Sequence, residues 1–300
     1  MRAAVTGSSG FVGSHLVPFL RSHGDDVVTI DRTGTPPVDV TDAAEVREVL
    51  RAARPDAVYH LAALSHVGQS WDAPEVVFRV NAVGALNVLR ACADTGVERV
   101  LVAGSADVYG VVGPEDLPLT EAAPIRPVTP YGASKAAADV LALQAFLGDG
   151  LGTLRVRAFN HTGPGQGVSM LVPGLAQRIA DAERDERPEV RVGRVDIVRD
   201  LCDVRDVVRA YRLLVEHGMP GEAYNVCSGH GVSVREVADA MLAMSDAPLE
   251  LVVDTELVRP VDVPRLVGDP ARLRAATGWA PEIPLDETLR DVLTAARRPG

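Results

Sequence analysis

Thr6-Gly7-Ser8-Ser9-Gly10-Phe11-Val12-Gly13 decides the fold. The stretch follows a short β-rich run at residues 2–5 and opens a helical pattern at residues 11–20. Its glycines form a G-x-x-G-x-x-G turn between a strand and a helix. Gly7 permits the tight turn, Gly10 lets the backbone approach a pyrophosphate, and Gly13 lets the helix pack on the strand. The phosphate then sits on the helix N-terminus, where N–H groups and the dipole favour an anion. A glycine pattern by itself is only a turn. The strand before it and the helix behind it give it a binding function, expected to involve Gly7, Gly10, Phe11, Val12 and Gly13.

Outward from this loop, strand-like runs at residues 27–30, 57–61, 100–103 and 154–159 alternate with helical patterns at 46–50, 76–93 and 132–147. Apolar strands separated by helices read as βαβ units and a parallel sheet buried on both faces. The fold class is therefore α/β: a doubly wound Rossmann sheet, with ligands at the carboxyl ends of its strands. After Phe159 the rhythm breaks at a glycine-rich loop, residues 162–167. Helical patterns follow at 171–185 and 203–217, with Asp203 as N-cap and Gly218 just past the end, and 187–194 reads as a polar, basic stretch. A strand is expected at 223–227. Ser233 and Glu236 form a capping box, and a proline-punctuated tail ends in a helix at 286–296. Residues 1–163 plus about 199–228 are expected to form the dinucleotide-binding domain. About 164–198 plus 229–300 are expected to form a smaller, discontinuous substrate domain.

Composition narrows the function. The chain has 300 residues, 47% hydrophobic and 24% charged, which is globular rather than disordered. Its formal net charge of −11, with no basic cluster, argues against nucleic acid, and an anionic substrate would need a local basic pocket. No apolar run approaches the roughly 18 residues of a membrane span, so no membrane partner is expected. Cys92, Cys202 and Cys227 are odd in number and far apart. They suggest neither a disulfide framework nor a metal site, and they fit a reducing cytoplasm.

Three side chains carry the chemistry. Tyr131 and Lys135 are four apart at an expected helix start after Pro130, hence on one helix face. Tyrosine, with an ordinary pKa near about 10, is a poor acid–base at neutral pH, and a nearby ammonium lowers that value. The same spacing also occurs on ordinary helix surfaces. Ser105 follows the strand at 100–103, where its hydroxyl can steady a substrate oxygen gaining negative charge or simply cap the next turn. Asp31 closes the second strand and can hold the ribose hydroxyls of an adenosine, which favours NAD(H). Arg32 beside it can instead meet a 2′-phosphate, so NADH and NADPH both stay open. Asp39 and Val40 could flank the adenine ring, though composition alone would not single them out.

This combination, together with Leu61-Ala62-Ala63 and Asn81-Ala-Val-Gly84, resembles the extended short-chain dehydrogenase/reductases from residue 1 to about 295. The resemblance implies a nicotinamide near Tyr131 and Lys135, with Leu61, Ala62 and Ala63 in the cofactor site and Lys135 also on its ribose. Phe159-Asn160-His161-Thr162-Gly163-Pro164-Gly165-Gln166, Val198-Arg199-Asp200, Tyr224-Asn225-Val226-Cys227-Ser228-Gly229, Arg259-Pro260 and Thr277-Gly278-Trp279 look like the nucleotide-sugar branch. There the nucleotide-sugar contacts fall on Asn160, Arg199, Arg259 and Asp262. His66 and Ser70 stand in a loop that lines the substrate pocket of relatives. Two guanidiniums also suit a diphosphate. The implied reaction is NAD(P)H-dependent reduction of a nucleotide-activated 4-keto-6-deoxyhexose, with GDP as the expected nucleotide. A 4,6-dehydratase or a 4-epimerase is the alternative. Dehydratases carry an acid and a base where this chain has Ala106 and Asp107, which weakens elimination without removing it. The resemblance further implies a homodimer through the helices near 76–93 and 132–147.

Overall fold

The computed structural model describes residues 1–254 and 263–298. In chain order, the first half holds β1 (Arg2–Thr6), α1 (Phe11–Ser22), β2 (Asp26–Ile30), α2 (Ala43–Ala53), β3 (Ala57–His60), α3 (Pro74–Phe78), α4 (Gly84–Thr95), β4 (Arg99–Ala103), α5 (Pro130–Asp149) and β5 (Gly152–Ala158). The second half holds β6 (Asn160–Thr162), α6 (Leu171–Arg184), β7 (Glu189–Val192), β8 (Val198–Asp203), α7 (Val204–His217), β9 (Ala223–Val226), β10 (Gly231–Ser233), α8 (Val234–Leu242), β11 (Glu250–Val253), β12 (Arg265–Leu266), α9 (Ala271–Thr277) and α10 (Leu285–Ala296).

Six parallel strands form the main sheet in the order β2-β1-β3-β4-β5-β9. The order reverses between β1 and β3, so their carboxyl ends flank a crevice suited to a ligand. Burial on both faces explains why most strand positions are apolar. Ala3 and Val5 face α1 and α7, packing with Leu16, Leu20, Tyr211 and Leu214. Ala4, between them, faces the opposite layer with Val58, Val88 and Ala142 from β3, α4 and α5.

A second body covers the carboxyl ends. β8 is its centre, paired with β10, β12 and β6. α6, α8 and α10 close over this part through Leu175, Ile179, Met241, Leu289 and Leu293. The expected boundary at 199–228 therefore shifts, because residues 199–203 belong to the smaller sheet and only α7 and β9 serve the larger. Residues 229–300 are also not all of one body: Leu273 and Trp279 pack into the main core, where Trp279 Nε1 donates to the Asp206 carbonyl at 3.0 Å.

Two further readings change. Residues 187–194, read as polar, contain β7, whose Val190 and Val192 are buried between exposed Glu189 and Arg191. Four residues with period two are too short to outweigh their charges in a sequence window. The helix expected at 76–93 runs over Pro74–Thr95, with a π-helical turn at Arg79–Val83. Its length and composition would suit a membrane span, but Glu75, Arg79, Arg90 and Asp94 interrupt it and one face packs into the core through Ala85, Val88, Leu89 and Cys92.

Candidate active site

The phosphate loop forms first, from local rules. Gly7 has φ +70°, and a Cβ there would stand 2.7 Å from the Ala62 nitrogen. A Cβ at Gly13 would sit 2.6 Å from the Ser8 carbonyl oxygen. At Gly10 the nearest atom is the Gly7 carbonyl oxygen at 3.2 Å, which leaves its outer side open. No side chain caps α1 at Gly10. An uncapped N-terminus behind a loop with bare backbone at Gly7, Gly10 and Gly13 fits a pyrophosphate. Gly13→Ala is expected to lower NAD(P)H affinity at least tenfold by fluorescence titration, since the new methyl forces the loop apart. Unchanged affinity would detach this loop from the cofactor.

The adenosine end lies at β2. The Asp31 carboxylate accepts from the Ser9 and Thr33 N–H groups at 3.0 and 3.1 Å and from the Thr33 hydroxyl at 3.0 Å. These bonds outweigh partial burial, so its pKa falls below the usual carboxylate value. Arg32 is exposed beside it. Asp39 accepts from the Thr41 N–H at 2.8 Å, and that bond chiefly lowers its pKa. Val40 is buried against α4, where a Cβ at Gly84 would meet its Cγ2 at 2.9 Å. Opposite, Leu61 and Ala62 donate their N–H groups to Thr6, to its carbonyl and its hydroxyl respectively. Asn81, in the π-helical turn, accepts from Leu64 N–H at 2.8 Å and donates to Ser134 at 2.9 Å. It thereby ties the loop after β3, including Ala63, to the first turns of α5.

Ser105, Tyr131 and Lys135 converge at the carboxyl end of β4. Thr129 caps α5, its hydroxyl accepting from Gly132 N–H at 2.9 Å, and Pro130 stands in the first turn. Gly132 is required there, because a Cβ would lie 2.8 Å from the Asp107 carbonyl oxygen. Lys135 is buried and donates from Nζ to the Ala103 carbonyl at 2.7 Å. Burial lowers its pKa to about 8, which leaves it a cation at neutral pH. Burial also raises the Tyr131 phenol above its ordinary value; the Asp107 carboxylate raises it further and a hydrogen bond with Ser105 opposes them. Buried His60, bonded to Thr6 at 2.8 Å and close to Lys135, is pushed down to about 3 and stays neutral.

The residues expected at the substrate end distribute unevenly. Asn160 is exposed on β6 and pairs with Leu201 of β8, whose Arg199 is partly buried and donates to its own strand at Val198. Arg259 and Asp262 lie outside the described residues. His66 is partly exposed, but Ser70 is fully buried and accepts from Tyr131 N–H at 3.2 Å. Ser70 therefore secures the start of α5.

Sequence reading missed two charged hubs. Arg155 and Arg157 share the α5-facing side of β5 and both bind Asp139, at 2.6 and 3.0 Å. Arg157 also donates to the Tyr109 hydroxyl at 3.1 Å, and that hydroxyl donates to Asn225 at 2.7 Å. The network joins α5, the turn after Ser105 and β9. Two arginines alternating inside an apolar strand were the available signal. Asp200, beside Arg199, is buried and accepts from the N–H groups of Ser228, Gly229 and Gly268 and from the Ser228 hydroxyl. Burial outweighs those bonds and raises its pKa.

A Rossmann sheet, a glycine-rich loop at its switch point and a buried Ser, Tyr and Lys at the end of β4 define an extended short-chain dehydrogenase/reductase. Within that class the chain belongs to the GDP-mannose 4,6 dehydratase family, whose model matches residues 35–292. It is 36% identical to GDP-6-deoxy-D-mannose reductase from Pseudomonas aeruginosa, across 98% of this chain and 96% of that protein. The solved structure of RMD from Pseudomonas aeruginosa complexed with NADPH superimposes with a TM-score of 0.90, at 34% identity and 99% coverage of both chains. UDP-glucose 4-epimerase from Thermus thermophilus, complexed with NAD, gives 0.88 at 32% identity, again over 99% of both.

Proposed function

We propose that the chain is an NAD(P)H-dependent 4-ketoreductase of a nucleotide-activated 4-keto-6-deoxyhexose, converting GDP-4-keto-6-deoxy-D-mannose to GDP-D-rhamnose. The observation that carries this reading is the convergence of Ser105, Tyr131 and Lys135 next to Ala106, which is buried and has no proton to give. The similarity to a GDP-6-deoxy-D-mannose reductase supports the same choice over dehydratase or epimerase. When bound, the reduced nicotinamide supplies hydride to C4. Tyr131 gives its proton to the C4 oxygen, which becomes the hydroxyl. Ser105 hydrogen-bonds that oxygen as its charge grows. Lys135, fixed on the Ala103 carbonyl, places a positive charge beside the cofactor ribose. Arg199 and Arg259 hold the diphosphate, with Asn160 and Asp262 beside the sugar nucleotide.

The test is loss of reduced-nicotinamide absorbance when purified protein meets NADH or NADPH and freshly generated GDP-4-keto-6-deoxymannose. Oxidation is expected, and NMR of the product then gives the C4 configuration. No oxidation, with GDP-mannose instead consumed in the absence of reductant, would make it a dehydratase.

The assembly we propose is a cytoplasmic homodimer. The three cysteines are buried and free, which suits a reducing compartment. α3, α4 and α5 leave an apolar hollow of about 520 Å³ lined by Phe78, Val83, Leu86, Ala137, Val140 and Leu141. Phe78 is 45% and Val140 56% exposed, a pairing that a second copy would cover. Val140→Asp is expected to convert a dimeric elution profile to a monomeric one. A wild type that is already monomeric by light scattering would remove this assembly.

A further inference from the structure

Asp200 follows Arg199 on β8, so the two side chains leave the strand on opposite sides. β8 has β10 on one flank, with Val232 opposite Arg199, and β12 on the other, with Leu266 opposite the same residue. The Asp200 carboxylate reaches the ends of both neighbours. Its Oδ1 accepts from the N–H and from the hydroxyl of Ser228, each at 2.7 Å, shortly before β10. Its Oδ2 accepts from Gly229 N–H at 2.9 Å and from Gly268 N–H at 3.3 Å, the latter shortly after β12. The side chain is fully buried, so these four donors stand where water would otherwise be. Bare backbone permits the approach. Gly229 has φ +86°, and a Cβ at Gly268 would lie 2.6 Å from the Phe159 ring and 2.7 Å from Cys227 Sγ.

We infer that Asp200 is a positioning residue for sugar-nucleotide binding: it pins the chain before β10 and after β12 to β8 and so fixes the strand that presents Arg199. A guanidinium held on an ordered strand has less freedom to lose when the diphosphate arrives, and affinity rises accordingly. The inference rests on the reading of Arg199 as a diphosphate ligand and goes beyond it, since the order of that ligand is assigned to a carboxylate on the far side of its strand.

Asp200→Asn keeps the shape of the side chain but turns an NH2 group toward one of the two donor pairs, whose bonds are lost. In the complex with oxidised cofactor, affinity for GDP-mannose, a stable carrier of the same diphosphate, is expected to fall about tenfold by calorimetric titration, with cofactor affinity unchanged. With GDP-4-keto-6-deoxymannose the KM should rise by a similar factor while kcat stays within a few-fold. Asp206→Asn supplies the comparison. Asp206 is equally buried and accepts from Glu282 and Ile283 N–H at 2.9 Å and from Arg209 at 2.7 Å, but it ties the chain after Trp279 to α7. That variant should lose comparable thermal stability and bind GDP-mannose as the wild type does. If Asp200→Asn does not fold, Ser228→Ala removes one of the four bonds and is expected to weaken GDP-mannose binding a few-fold. Wild-type affinity in Asp200→Asn, or in Ser228→Ala in its place, would overturn the inference. Equal losses of affinity in the Asp200 and Asp206 variants would overturn it too, because loosening of the fold would then explain both. So would an Arg199→Ala variant that binds normally while Asp200→Asn binds weakly. A wild type that binds no GDP-mannose would instead overturn the sugar-nucleotide reading on which the inference stands.

Discussion

Replacing Tyr131 with Phe is expected to lower kcat by about 10²–10⁴-fold while cofactor affinity changes little. The ring is buried, so its packing survives the change and the phenolic oxygen is the group lost. Neighbouring donors do not substitute for it. Ser105 steadies the C4 oxygen through a hydrogen bond rather than by giving up its proton, and the Lys135 ammonium is bonded to the Ala103 carbonyl. Steady-state turnover and an NAD(P)H binding titration on the same preparation would check both halves. Turnover within a few-fold of the wild type would show that the C4 oxygen takes its proton from elsewhere.

The largest loss of stability is expected from Asp139→Ala. Arg155 and Arg157 would then stand on one side of a central strand without their shared carboxylate, and Arg157 is 5% exposed. Removing one partner of a buried ion pair costs about 3–5 kcal/mol, because the remaining charge is uncompensated. At this chain size the melting temperature should fall by roughly 10 °C. The contrast is Arg47→Ala, which breaks a pair with Asp94 at 3.1 Å whose side chains are both about half exposed. That change should cost at most about 1 kcal/mol. Equal melting temperatures for Asp139→Ala and Arg47→Ala would mean that the buried network contributes no more than a surface pair.

The large sheet was legible because its strands are covered on both faces. Residues 100–103 read as an apolar run, 154–159 keep apolar residues on alternate positions around two arginines, and the helix between them keeps its own period. Ser105, Tyr131 and Lys135 were legible because strand end and helix start are local features, and the topology brings them together. The smaller body was harder. β7 has four residues and β12 two, and their apolar positions gain meaning only against partners elsewhere in the chain. Asp139 and Asp200 were silent for a related reason. An aspartate on a helix or strand reads as solvated until the structure shows two guanidiniums or four donors closing on it. Asp262 and Arg259 lie outside the described residues, so their part rests on sequence.

Phe11, the first residue of α1, stacks on His161 with centroids 6.1 Å apart and planes 6° from parallel, and His15 one turn on bonds the Pro164 carbonyl at 2.9 Å. The wall behind the proposed pyrophosphate seat is thus also the wall behind Asn160 and the glycine-rich loop after it. Occupants of the two seats are then linked thermodynamically. Whatever factor the cofactor applies to sugar-nucleotide affinity, the sugar nucleotide must return to the cofactor.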